Sequence, residues 1–457
     1  MKNTVFGAVA MGVCSSFAHA QNTDPAHLSL VAGYKAAFTC SAYFNAGRTP
    51  EDIEDDELGR IYSGYREAMA NLPEAVIDLD EKRVSVAYAE DMPPRVSEWR
   101  AHLGCAQWPT GARKGDIDLP QAKVRQTRDL PRPLPEALSD DPALLAIVRT
   151  AFDRVTYGEG TETTAVMVVH NGKIVAERYR EGFDATTPQR TWSVAKSIAA
   201  TIIGAAAEEG ILSVSEPAGL AAWSAPGDPR GAITIENLLH MSSGLTSPHA
   251  GNRTDDVYFG GGRVVDHAID NRLVAAPGAR WRYANNDTMA AMRALRERMD
   301  NDRKFLAFPF EAVLEPLGMR NTYLETDWNG DFILSSQVWT TARDLARLGL
   351  LYLNDGVVSG RRILPEGWAA YVASPAPAQP SLTRRDGSQN PAYGAQWWLY
   401  GERHGLPEGS YAARGNRGQY LMIMPERDVL IIRRGFDDGG GFNLATFSAD
   451  ILAALED

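Results

Sequence analysis

Between Trp192 and Gly210 small or apolar side chains occupy nearly every position. Val194, Ala195, Ile198, Ala199, Ala200, Ile202, Ile203 and Ala205 to Ala207 run around the whole circumference of a helix. A helix apolar on all sides belongs inside a large domain, and Gly210 supplies its stop. At its mouth stand Ser193 and Lys196, three residues apart and on one face of the first turn. Two readings fit: unrelated polar residues at a helix end, or a nucleophile with its base. A lone Ser-x-x-Lys arises by chance about once in a chain of this size. The first reading leaves Lys196 little exposed surface to occupy. On the second, a desolvated amine sheds its proton and acts as a base, the free N–H groups of the helix end favour negative charge near Ser193, and an adjacent base activates the hydroxyl.

A chain of 457 residues has room for two or three domains around such a helix. Its net charge of −12 and the lack of any long Lys/Arg run argue against a nucleic-acid partner. The first twenty residues read as an export signal: Lys2, then the short apolar stretch Val5 to Val13, then Ala18-His19-Ala20 as the cleavage site, leaving Gln21 first. That stretch is too short to span a bilayer, and Met11-Gly12-Val13-Cys14 fits a lipid-attachment box poorly. The expectation is a periplasmic or secreted protein with no integral membrane segment. The two remaining cysteines, Cys40 and Cys105, then pair as a disulfide, the alternative being two buried thiols.

Residues 21–110 read as a separate N-terminal α+β module: a helix from about Leu28 to Ala46, a second helical stretch rich in acids, and a strand pair turning at Asp80-Glu81. Residues 111–139, rich in Pro and polar residues, read as a linker. The domain from 140 to 457 opens with an amphipathic helix and a hairpin turning at Asn171-Gly172. It closes with a hairpin turning at Pro425-Glu426-Arg427 and a final helix, with a helical and loop-rich middle. A sheet built from both ends of a domain, with a helical insertion, leaves a cleft at the junction.

Two further stretches hold chemistry. Tyr283-Ala284-Asn285 follows the turn at Pro277-Gly278 and precedes a helix. A Tyr hydroxyl relays a proton when a cation favours its phenolate, and an Asn offers donor and acceptor to a substrate amide; the plain alternative is a packing Tyr and a capping Asn. Gly415 and Gly418 flank Asn416-Arg417 at the expected start of an inner strand, where glycine lets a ligand approach the backbone. There the N–H of Gln419 and that of Ser193 would form an oxyanion hole; the plain alternative is a glycine-rich bulge.

The order Ser193-Val-Ala-Lys196, Tyr283-Ala-Asn285, Gly415-Asn-Arg-Gly418-Gln419 resembles the penicillin-recognising serine hydrolases, which include class C β-lactamases, D-alanyl-D-alanine peptidases and family VIII esterases. The nearest subgroup is similar to 6-aminohexanoate-oligomer hydrolases. "IENLLHMSSGL", "LEPLGMRNTYLE", "TARDLARLGLLYLNDG", "RRILPEGW" and "YGAQWWL" add to it, so it spans about 140 to 457. The resemblance implies an α/β (α+β) fold, an antiparallel sheet flanked by helices with a helical lobe. It implies Ser193, Lys196 and Tyr283 as catalytic residues, Asn285, Asn416, Gly418 and Gln419 as substrate-binding ones, and no metal or organic cofactor. The partner is a small-molecule ester or amide. One departure stands out: the family's penicillin binders carry Lys-Thr-Gly on the third strand, and Asn416 takes the Lys place here. That favours an esterase or amidase over a β-lactamase or D,D-peptidase; a non-catalytic binding or sensor protein on the same fold is the other alternative. His240 and His249 lack further ligands for a metal, Asp327 to Asp331 lacks the distal Glu of a calcium loop, and "YFGGGRVVD" reads as a mobile loop beside the cleft. Of Trp397 and Trp398 at most one should face that cleft. Oligomeric state has no signature in the chain.

Overall fold

The computed structural model describes residues 24–456 apart from 61, 126–132, 248–253, 386 and 439–440. The expected export signal, part of the linker and His249 lie outside these residues. Helix α1 (Pro25–Ala46) starts on Asp24, whose side chain accepts the Ala26 N–H, with Pro25 in its first turn; Gly47 ends it in the left-handed conformation. It lies on a four-stranded antiparallel sheet of β1 (Val76–Asp78), β2 (Arg83–Val86), β3 (Arg95–Arg100) and β4 (Gly104–Gln107). Asp78 accepts the N–H groups of Asp80 and Glu81, which builds the first turn of that sheet. Cys40 of α1 and Cys105 of β4 form a disulfide with their Cα atoms 6.2 Å apart.

The larger sheet has seven antiparallel strands. They are β5 (Thr163–His170), β6 (Lys173–Tyr179), β7 (Ala392–Tyr393), β8 (Trp398–Leu399), β9 (Tyr411–Gly415), β10 (Gln419–Met424) and β11 (Val429–Gly435). They lie in the order β7-β8-β9-β10-β11-β5-β6. The two ends of the chain meet where β11 pairs with β5. Asn171 and Gly172, with φ of 50° and 72°, turn β5 into β6. The 111–139 stretch does more than connect: Pro135, Ala137 and Ser139 exchange backbone hydrogen bonds with Ile174 and Val175, covering the outer edge of β6. Helices α2 (Pro142–Thr150) and α6 (Leu444–Glu456) pack together over one face of this sheet. The other face carries α3 (Val194–Glu208) and α5 (Ala342–Leu353); α4 (Asn285–Arg298) lies against α3. From Val194 to Ala206 every residue of α3 is buried, as its apolar circumference requires.

The glycine-rich stretch "YFGGGRVVD" packs closely on the N-terminal segment. A Cβ on Gly33 of α1 would fall 2.1 Å from the Phe259 carbonyl oxygen, and one on Gly261 would fall 2.3 Å from that of Trp108. Arg95 donates to the Phe259 carbonyl and Trp328 to that of Gly261. Absent side chains let two backbones touch here, so the glycines serve packing. Among the described residues no helix is long and apolar enough to cross a membrane.

Candidate active site

Trp192 takes the left-handed conformation, φ 50°, and so turns the chain sharply into α3. Ser193 stands at the N-cap, partly exposed between buried neighbours. Lys196, only 1% exposed, reaches back along the same face. Its Nζ lies 3.1 Å from Ser193 Oγ, 2.8 Å from Asn285 Oδ1 and 2.6 Å from the Ser335 carbonyl oxygen. Burial drives the amine well below its ordinary value.

Asn285 opens α4 and is buried; its Nδ2 donates to Thr254 Oγ1 at 2.9 Å while Oδ1 accepts from Lys196. The amide expected to meet a substrate is therefore largely spent on orienting the amine, with one N–H left over. Tyr283, half-buried, holds its ring centroid 4.9 Å from Lys196 Nζ. Burial pushes its phenol up to about 12, against the opposing pull of a hydrogen bond with Ser193 and the charge of Arg414. Tyr283 is thus a protonated phenol at neutral pH, a form that can give a proton. Trp281, Tyr393 and Trp398 wall this side, with Tyr283 and Trp398 centroids 5.6 Å apart. Trp397 points the other way, into the core against Tyr352.

The glycine motif requires a correction. The inner strand ends at Gly415, and Asn416–Gly418 form the tight turn that carries β9 into β10. Arg417 in that turn has φ 55°; a non-glycine residue gives no sequence sign of this conformation, so the turn read as strand. Gly415 is the residue against Ser193: a Cβ there would lie 2.2 Å from the Thr191 carbonyl oxygen and 3.2 Å from Ser193 N. Asn416, exposed, follows directly and so does not stand where a Lys would begin the strand. Gly418 faces away from the cleft, since a Cβ on it would overlap Arg433 Nη1 at 1.7 Å. Gln419 is 2% exposed; it pairs with Gly415 across the ladder, and its side chain is held by the Arg417 and Gly435 carbonyls and by Arg434. Gly418 and the Gln419 side chain are thus engaged within the turn and its neighbouring strands.

Sequence reasoning missed the Ser335 carbonyl, since a main-chain acceptor leaves no residue signature. It also missed the hydrogen bond of Ser335 Oγ with Tyr258 Oη, 2.8 Å, behind it. His240 is buried and its imidazole is held down to about 4 by that burial, so it is neutral. Among the described residues no group of three acidic, His or Cys side chains is arranged to hold a metal. Asp327 accepts the N–H groups of Asn329 and Asp331, and Asp331 pairs with Arg293 and Arg296, so this loop is satisfied from within the protein.

Residues 148–433 match the family described as Beta-lactamase. The 6-aminohexanoate-dimer hydrolase of Paenarthrobacter ureafaciens is 26% identical over 339 residues, covering 70% of this chain and 83% of that protein. A Bacillus anthracis structure, provisionally named as a 6-aminohexanoate-dimer hydrolase, superimposes with a TM-score of 0.58 at 24% identity, over 74% of this chain and 90% of that one. A family VIII carboxylesterase superimposes with a TM-score of 0.54 at 15% identity, over 70% of this chain and 98% of that one. The matched family region begins past the four-stranded sheet.

Proposed function

The chain belongs to the β-lactamase family of serine hydrolases, and from that premise we propose that it cleaves an ester or amide bond through an acyl-enzyme on Ser193. The observation that carries this reading is the environment of Lys196. With two N–H groups given to Asn285 and Ser335, the lone pair of the neutral amine is left for the Ser193 hydroxyl. Lys196 takes the Ser193 proton as Oγ attacks the substrate carbonyl. The Tyr283 phenol gives its proton to the departing oxygen or nitrogen and regains one from the Lys196 ammonium, which restores both groups. Water then attacks the acyl group, its proton returning along the same path, and Ser193 is released.

The oxyanion donors in this reading are the N–H groups of Ser193 and Asn416. Main-chain groups alternate in direction along an antiparallel strand. Ser410 accepts from Tyr400 on the β8 side, so the alternation carries Arg414 and Asn416 to the cleft side and turns Gly415 toward Gln419. Asn416 replaces Gln419 as the second donor, and its side chain projects into solvent at the cleft mouth.

Esters and linear amides are the favoured substrates. The cleft strand ends Ala413-Arg414-Gly415, without a Lys or His, and the Arg414 guanidinium lies against the rings of Trp398 and Tyr420. The Cys40–Cys105 disulfide supports an exported protein, with residues 1–20 as the signal and 21–110 as a module distinct from the hydrolase domain 140–457. A panel of p-nitrophenyl esters, linear amides and nitrocefin, run on wild type and Ser193→Ala, tests the reading. Turnover of the esters and amides, lost in the variant, is expected. Nitrocefin as the best substrate would make the protein a β-lactamase, and stable trapping without turnover would make it a binding protein.

A further inference from the structure

We infer that the N-terminal segment, residues 24–110, positions the oxyanion donors of this site and acts chiefly through Arg417. The inference rests on the serine-hydrolase reading above. Two non-glycine residues in the left-handed region flank the donors: Trp192, φ 50°, precedes Ser193, and Arg417, φ 55°, follows Asn416. L-residues disfavour that region and stay in it only where their surroundings over-determine them. In both cases the surroundings come largely from the N-terminal segment.

The Arg417 guanidinium donates to the main-chain carbonyl oxygens of Asp56 and Arg60. Asp56 is itself fixed by Arg48, 2.7 Å away, and by Arg180. Trp192 is held by stacking. The Arg190 guanidinium lies 3.8 Å from its ring centroid and 4.2 Å from that of Phe38 in α1. Phe38 and Tyr62 rings stand 6.0 and 6.5 Å from the Trp192 ring. The two anchors meet, since Arg417 lies 5.6 Å from the Trp192 ring. From its own side the turn is tied through main-chain atoms: Arg433 donates to the Gly418 carbonyl and the Asp437 N–H to that of Arg417. Arg417 is the one side chain of the turn that reaches out of the hydrolase framework. The family match covers residues 148–433, so these contacts tie the turn to residues outside the matched region.

Arg417 does not touch the reacting atoms and is a positioning residue. Arg417→Gly removes the guanidinium and leaves a residue at ease at φ 55°. Its kcat on p-nitrophenyl acetate should fall by about tenfold or more, with KM within about threefold of wild type. Inhibition by phenylboronic acid should weaken by the same factor as kcat/KM, because the tetrahedral boronate on Ser193 uses the same two donors. Added guanidinium chloride should restore part of the rate, and Ser193 should still react with a fluorophosphonate, only more slowly. A variant with kcat and boronate affinity within about twofold of wild type overturns the inference. So does a loss that merely follows the unfolded fraction and vanishes on cooling. Should Arg417→Gly not fold, Phe38→Leu, which removes the ring beneath Arg190, must show the same kcat and boronate losses; an unchanged enzyme overturns it. Full activity in Ser193→Ala would instead remove the underlying reading.

Discussion

Lys196 Nζ lies 2.8 Å from Asn285 Oδ1 inside a pocket where burial, and not a neighbouring charge, sets the state of the amine. A neutral amide is the partner that leaves a buried amine uncharged. A carboxylate in its place would hold the proton on. The proposed base is thus made by what Asn285 lacks as much as by what it offers.

The acid limb of kcat/KM should therefore belong to Lys196. The folded value lies well below the ordinary 10.5, so the unfolded chain binds the proton more readily. Stability from this group accordingly rises with pH between the folded value and 10.5, and is at its minimum below the folded value. Activity on p-nitrophenyl acetate should climb with pH through the folded value as the ammonium becomes the neutral amine. Lys196→Ala should lose about 10³ in kcat and lose the limb as well. A limb that survives in this variant assigns the base elsewhere.

Asn285→Asp should move that limb upward by about one to three pH units, since a carboxylate now favours the ammonium. Activity lost near neutrality should return in alkaline buffer. Asn285→Ala should lose rate without such a return. The pair of pH profiles separates a charge effect from a packing defect.

Tyr283→Phe should lower kcat by about 10²- to 10³-fold with little change in KM, because the phenol proton is used only as the leaving group departs. With that phenol held up to about 12, Tyr283 should cause no alkaline loss of activity at milder pH. An alkaline limb near pH 9 that vanishes in Tyr283→Phe would mean that the residue ionises where burial should forbid it.

Opening the Cys40–Cys105 bridge, whose ends are separated by 65 positions in the sequence, should cost about 4 kcal/mol of stability in the chain-entropy view. Cys105→Ala should show a lower Tm with and without dithiothreitol, while wild type should fall to the same Tm only with it.

Much of the molecule is legible where one chemical property is pressed hard by the sequence. The apolar circumference of α3 left Ser193 and Lys196 nowhere to go but a buried mouth, and Asn171-Gly172 could hardly be anything but a hairpin turn. The reading slipped where conformation ran against residue preference. Arg417 in the left-handed region disguised a turn as the start of a strand, which is why the proposed second oxyanion donor is Asn416 where the sequence pointed to Gln419. Contacts joining distant parts of the chain, such as Arg417 to the Asp56 carbonyl, have no local pattern at all. Ser335 reaches Lys196 through a main-chain oxygen that any residue would present.

Labelling with a fluorophosphonate followed by peptide mapping asks whether Ser193 is the nucleophile. One phosphonyl group per chain is expected, on the peptide containing Ser193, with labelling lost in Ser193→Ala and slowed in Lys196→Ala. An adduct mapped to another residue, or undiminished labelling of Ser193→Ala, would contradict it.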